Sequence, residues 1–74
     1  MDTVTLFGDN LRRARNAADL SQEELAFRAG MKRSYVSDME RGTRNPTVRA
    51  LGRIANALEI PPHTLLLPLT KSNR

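Results

Sequence analysis

Cysteine and tryptophan are absent from this chain of 74 residues, and histidine occurs only once, at His63. Without cysteine the chain can form neither a disulfide nor a thiolate metal site. One histidine cannot make a metal site without help from carboxylates, so neither a metal nor a cofactor is expected. Small domains commonly gain stability from disulfides, a metal or a partner chain. Pairing with a second copy is therefore the support that remains.

Long hydrophobic runs are also missing. No apolar run exceeds three residues, as in Leu65-Leu66-Leu67, whereas a membrane-spanning helix needs roughly 20 apolar residues. The first residues, MDTVTLFGDN, lack the basic and apolar regions of a signal peptide. We therefore expect one soluble domain over residues 1–74, located in the cytoplasm and without a membrane partner.

Acidic residues are scarce where the bases concentrate. The chain has 12 Lys and Arg against 8 Asp and Glu, a net charge of +4. Residues 32–53 contain six bases and two acids, so this segment accounts for the whole net charge. Ten of the twelve bases are Arg, whose planar guanidinium suits phosphates and guanine edges. This distribution indicates a polyanionic partner; a solvated helical face is the alternative.

Turn signals divide the chain into five short helical segments, and no stretch alternates as a strand would. The sequence therefore predicts an all-α fold. The segments are about 5–18, about 21–29 behind the capping box Ser21-Gln-Glu-Glu24, about 32–41, a fourth that follows Thr47, and a fifth that follows Pro61-Pro62.

Apolar spacing predicts which sides of these helices face the core. In the fourth helix the inner residues are expected to be Val48, Leu51, Ala55 and Leu58. Gly52 within it costs about 1 kcal/mol relative to alanine. A close approach to another helix is the expected compensation.

The second and third segments form a pair joined at Gly30, which indicates a helix-turn-helix unit over about 21–41. Val36 and Met39 are expected to face inward. The outer side carries two polar rows, Arg33-Ser37-Arg41 and Ser34-Asp38. Arg can bond O6 and N7 of guanine, Asp can accept from N4 of cytosine, and Ser is adaptable. These residues suit a helix that enters the DNA major groove.

Residues 11–60 resemble the helix-turn-helix family of Cro and lambda-type repressors, the XRE family. The features in common are LSQEELA, Gly30, the Ser37-x-x-Glu40-x-Gly42 pattern and Pro46. Within that family, RSYVSDMERGTRNP is most similar to the controller proteins of bacterial restriction–modification systems, which are small dimers. The resemblance implies a five-helix lambda-repressor-like domain that binds a two-fold-symmetric operator as a homodimer and activates or represses transcription.

The resemblance, taken with the residue types, implies roles for individual side chains. Expected to read bases are Arg33, Ser34, Ser37 and Asp38; expected at the DNA backbone are Gln22, Lys32, Tyr35, Arg41, Arg44 and Asn45; expected to form a structural ion pair are Arg15 and Glu40. Solvated surface positions are the alternative for the first two groups. Two residues depart from the family pattern. At position 38 the family favours a small or amide residue instead of Asp38, and at position 32 it favours a capping residue instead of Lys32.

The leucines near the end of the chain exceed what one short helix can bury. They predict a dimer interface within residues 59–70, formed by Leu65, Leu66, Leu67 and Leu69; the alternative is that they cover the core of the single domain. The resemblance implies double-stranded operator DNA, a second copy, a second dimer on an adjacent site and RNA polymerase as partners. It also implies the bacterial cytoplasm, with the nucleoid, as the location.

Other functions fit the sequence less well. A phage-type repressor or the antitoxin of a toxin–antitoxin pair would share the resemblance. A helical protein-interaction module would explain the leucines but not the concentrated Arg. An enzyme is not expected, because His63 lies among prolines and leucines and neither a phosphate-binding Gly loop nor metal-ligand spacing occurs.

Overall fold

The computed structural model describes residues 2–68, and those residues form four α-helices and one short 3-10 helix. The elements are α1 Thr3–Ala17, α2 Gln22–Ala29, α3 Arg33–Glu40, α4 Val48–Leu58 and the 3-10 helix Pro62–Leu66. No strand occurs between residues 2 and 68, so the all-α prediction is confirmed for that part of the chain. In this range no helix is both long and apolar enough to cross a membrane.

The predicted fifth α-helix is wrong, because the segment forms a single 3-10 helix of five residues. Pro61 and Pro62 supply no backbone N–H, and a segment this short commonly adopts the tighter 3-10 geometry. Asn10 on α1 fixes its end: Nδ2 donates to the carbonyl oxygens of Leu65 and Leu67 at 3.0 and 2.9 Å. The 3-10 helix is thereby attached to α1.

The α2 boundaries follow from local chemistry. The Ser21 hydroxyl accepts from the Glu24 amide at 3.0 Å, and Glu24 Oε1 accepts from the Ser21 amide at 2.9 Å. The hydrogen bonds from Ser21 lower the pKa of Glu24 below its ordinary value. At the other end Gly30 adopts φ +71, a left-handed conformation that glycine takes without a steric penalty. Both features are those that the sequence predicted.

One hydrophobic core lies where the helices meet. α1 packs against α3 and the 3-10 helix, α2 packs against α3 and α4, and α4 also contacts the 3-10 helix. The largest fully buried side chains come from all five elements: Phe7, Leu11, Leu25, Val36, Met39, Ile54 and Leu65. α3 is therefore held from two sides, by α1 and by α2.

Two apolar residues lie elsewhere than predicted. Val48, expected on the inner face of α4, is 86% exposed. Leu65, expected at a dimer interface, is fully buried in the domain's own core and has no surface to offer a partner. Leu66 and Leu67 are exposed, while Leu69 and the end of the proposed 59–70 region lie outside the described residues.

The close helix approach expected at Gly52 occurs at Gly8 instead. A Cβ on Gly8 would collide with the carbonyl oxygen of Met39, so α1 and α3 meet backbone to backbone there. A Cβ on Gly52 would meet no atom of another helix or loop within 4 Å among residues 2–68. Gly52 thus carries its conformational cost without a packing reason.

Replacing Gly52 with alanine should therefore stabilise the domain by about 1 kcal/mol, because alanine lowers the entropy cost of ordering a helix interior. Chemical denaturation of the variant and the parent measures this difference. Gly8→Ala is the matched control and should lower the free energy of unfolding. Equal responses at the two glycines would contradict the packing described above.

Candidate nucleic-acid interface

α3 has one side in the core and one side in solvent. Val36, Met39 and Glu40 are buried beneath it, whereas Arg33 and Ser34 are exposed. Ser37 and Asp38 lie at the edge and are half-buried. The side chains predicted to read bases thus share an accessible side of a helix that the core holds in place.

An ion pair beneath α3 joins it to α1. Arg15 Nε and Nη2 donate to Glu40 Oε2 and Oε1 at 2.6 and 3.0 Å, and Arg15 Nη1 donates to the carbonyl oxygen of Leu20 at 2.9 Å. The side chains are 13% and 2% exposed. The hydrogen bond to Glu40 raises the pKa of Arg15 above its ordinary value. This two-point arrangement fixes the rotation of α3 relative to α1.

Gln22 extends this network to the surface of α3. Its Nε2 donates to Glu40 Oε1 at 3.1 Å, and its Oε1 accepts from Arg33 Nη1 at 3.3 Å. Glu40 and Gln22 therefore connect the buried Arg15 to Arg33, the first residue of α3. Among residues 2–68 the Arg33 side chain has one hydrogen-bond partner. Most of the five N–H donors of its guanidinium are thus left for a ligand as far as these residues are concerned.

A second polar cluster surrounds Asp38 near the end of α3. Arg41 Nη2 donates to Asp38 Oδ1 at 2.5 Å, and Arg44 Nη2 lies 3.7 Å from Asp38 Oδ2. The Arg44 guanidinium also lies over the Tyr35 ring, 4.9 Å from its centroid, a distance at which a cation is attracted to the ring face. Tyr35 itself is half-buried against the core.

The loop after α3 brings Arg44 to this position. Gly42 takes φ +76, and the backbone amide and hydroxyl of Thr43 both donate to the carbonyl oxygen of Asp38, at 3.0 and 3.2 Å. The chain therefore turns back beside α3 instead of leaving it. Asn45, the last of the predicted backbone-contacting residues, is exposed in the same loop.

Lys32 begins α3 without a side-chain cap. Its backbone has the extended conformation of an N-cap residue, but no side-chain hydrogen bond closes the first turn. Lysine has no acceptor atom with which to do so. The exposed ammonium group instead adds positive charge where the free N–H groups of α3 point outward.

Two exposed apolar side chains were not recognised from the sequence. Phe27 on α2 and Val48 on α4 are each 86% exposed. A signal existed for Phe27, because Leu25, Ala26 and Ala29 are the buried residues of α2 and position 27 falls off their stripe. Thr43 was also missed; its role depends on the path of the loop, which spacing does not give.

The helix-turn-helix family HTH_3 matches residues 11–65 of the chain. The protein belongs to this helix-turn-helix family. The match includes α2, α3 and α4, so the XRE-type resemblance is confirmed.

Several relatives of this HTH_3 protein are controller proteins. Control protein C.BamHI of Bacillus amyloliquefaciens is 44% identical over 62 residues, which cover 82% of this chain and 76% of that protein. The crystal structure of the restriction–modification controller protein C.AhdI from Aeromonas hydrophila superposes with a TM-score of 0.82 at 47% identity, over 84% of this chain and 94% of that one. The HTH-type transcriptional regulator y4dJ of Sinorhizobium fredii is 43% identical over 68 residues, or 92% and 88% of the two chains.

Proposed function

We propose that this protein is a DNA-binding transcriptional regulator and serves as the controller protein of a restriction–modification system. The observation that carries the proposal is α3, whose inner side is fixed by the core and by Glu40 while its outer side presents Arg33, Ser34 and Ser37. Similarity to C.BamHI and C.AhdI supports the controller assignment. In this role α3 lies in the major groove of its operator.

The contacts divide into two kinds. Arg33, whose guanidinium donates to Gln22, would bond a guanine edge, and Ser34 and Ser37 would contact neighbouring bases. The exposed residues at the two ends of α3 and in the loop after it would contact phosphates and so fix the register of the protein on the duplex. They are Lys32, Arg41, Arg44 and Asn45. Gln22 and Tyr35 hold the neighbouring arginines and contribute to the same backbone contacts.

Two copies act together in this proposal. A half-open apolar groove of about 160 Å³ lies between the start of α1, the start of α4 and the 3-10 helix, and its lining includes Val4, Val48, Leu51 and Leu66. Burying this exposed apolar surface would stabilise a homodimer. The two copies of α3 would then enter successive major grooves about 34 Å apart. A second dimer on an adjacent site and contact with RNA polymerase would allow activation or repression according to the operator's position.

Duplex binding at two salt concentrations tests the proposal. A random-sequence duplex and a duplex selected by the protein from a random pool would be titrated at about 50 and 200 mM salt. If six to ten phosphates are contacted, affinity should fall by about 10³–10⁵ between these concentrations. Footprinting of the selected duplex should show two protected half-sites with centres about 10 base pairs apart.

The same measurements separate the proposal from its competitors. A helical module that binds only proteins would bind neither duplex at either salt concentration. If the pool yields no preferred site, the protein binds DNA without sequence selection. The proposed role as a transcriptional regulator would then be wrong. A single protected half-site would contradict the dimer.

A further inference from the structure

We propose that Asp38 is a positioning residue that increases discrimination between operator and other DNA by holding Arg41 and Arg44. The proposal rests on the function proposed above and assigns Asp38 a part in it other than base readout. Its basis is the cluster at the end of α3, in which one carboxylate faces two arginines.

Both oxygens of the Asp38 carboxylate are engaged within the protein. Oδ1 accepts from Arg41, and Oδ2 faces Arg44 at 3.7 Å. The Asp38 side chain is 28% exposed, against 64% for Arg41 and 52% for Arg44. The cluster therefore presents its guanidinium groups outward and keeps its carboxylate largely behind them. An approaching duplex meets the cations first.

Cytosine readout by Asp38 would compete with these contacts. N4 of cytosine carries no charge, whereas Arg41 and Arg44 each bring a positive charge to the carboxylate, one as a hydrogen bond and one as an ion pair at 3.7 Å. The Asp38 backbone is fixed as well, because its carbonyl oxygen accepts from both donors of Thr43. The geometry favours an intramolecular role for this side chain.

The carboxylate affects the two classes of DNA differently. Binding to random duplex depends on phosphate contacts made in any register, so each guanidinium that Asp38 occupies is withheld in part from such contacts. Operator binding requires contacts in one register, so arginines held beside Tyr35 and α3 are already close to their bound positions. Removing the carboxylate would thus strengthen binding to random duplex. It would also free the two arginines from the positions that operator binding requires.

Asp38→Asn tests this inference because it keeps the size of the side chain and removes its charge. Affinity for random duplex should rise about threefold to tenfold at low salt. The slope of log affinity against log salt should steepen by about 0.9 for each arginine released to a phosphate. Affinity for the operator selected by the parent protein should rise less, so that the operator-to-random ratio falls.

Two further variants keep the inference testable. Asp19→Asn removes one negative charge in the loop between α1 and α2, where φ is +61 and asparagine is well tolerated; it should leave the operator-to-random ratio unchanged. In a background that carries Arg41→Gln and Arg44→Gln, Asp38→Asn should no longer alter the ratio, because the groups it acts through are gone. Equal denaturation midpoints would establish that each variant is folded.

The outcomes are distinct. If Asp38→Asn raises the affinities for operator and for random duplex by the same factor, the inference is overturned and the substitution has only a general charge effect. Loss of operator affinity with a relaxed preference at one base pair, and no gain on random duplex, would make Asp38 a base reader instead. Failure of the parent protein to bind either duplex would reject the proposed function itself.

Discussion

Replacing Glu40 with alanine should destabilise the domain by about 3–5 kcal/mol, because it leaves a nearly buried arginine without its counter-charge. Arg15 would keep its hydrogen bond to the carbonyl oxygen of Leu20 and lose both bonds to the carboxylate. Gln22 would lose its acceptor as well. The free energy of unfolding of a native protein is only about 5–15 kcal/mol in total, so this loss would be a large fraction of it.

Circular dichroism during urea unfolding measures this loss. Asp9→Ala is the matched control, since it removes a carboxylate that is paired with Arg12 at 3.0 Å but lies in a more exposed position, with Arg12 48% exposed. Such a pair contributes at most about 1 kcal/mol. Similar midpoint shifts for the two variants would mean that the Arg15–Glu40 pair is no more important than a surface pair.

Arg33→Ala should weaken operator binding by about 1–3 kcal/mol, the value of a bidentate contact with guanine, and should weaken random-duplex binding much less. The expectation follows from the position of Arg33: it is exposed at the start of α3, and one guanidinium nitrogen is oriented by Gln22. Titrations of the selected operator and of random duplex at one salt concentration measure the two losses.

Arg33→Lys refines this experiment because lysine keeps the charge and lacks the planar fork. It should retain random-duplex affinity and lose most of the operator affinity that Arg33→Ala loses. If both substitutions reduce operator and random binding by the same factor, Arg33 contacts phosphate and the base-reading role is wrong.

The helices could be predicted because the signals that begin and end them are local. The capping box at Ser21 and the glycine at position 30 act within a few residues of chain, and both have the geometry that their sequence implies. A fifth helical segment after Pro61-Pro62 was predicted, but its 3-10 geometry was not. Its end is held by Asn10, which is far away in the sequence. The periodicity of apolar residues does not indicate contacts between residues so far apart in the sequence.

Burial was less predictable than helix position. Val48 has the correct spacing for an inner residue, yet the buried residues of α4 are Ala50, Ile54 and Ala55. The buried face of α4 is therefore turned away from Val48, whose side chain lies in solvent. Leu65 and Leu66 are adjacent and identical in type, and only packing against the other helices separates the buried one from the exposed one. Likewise, the sequence placed a close approach at Gly52, while the backbones meet at Gly8.

The residues of the candidate site could be selected from their types, and the Arg15–Glu40 pair from the resemblance, but the partners of Gln22 and Arg44 could not. Asp38 and Arg41 are three residues apart, a spacing at which side chains on a helix are neighbours. Nothing in the spacing indicates that the same carboxylate also faces Arg44. That arrangement requires the turn at Gly42 and the two hydrogen bonds from Thr43. The network from Arg15 to Arg33 likewise joins residues of three helices.

The short, uncapped α3 has a consequence for how long the protein survives in a cell. A helix of eight residues without an N-terminal side-chain cap is not stable as an isolated peptide in water, so the surface that would bind DNA exists only while the whole domain is folded. A ligand that binds only the folded state stabilises it, by about 2.7 kcal/mol at 100 times its dissociation constant. Protein on its operator would then resist proteolysis better than free protein, so degradation would preferentially remove molecules that exceed the available sites.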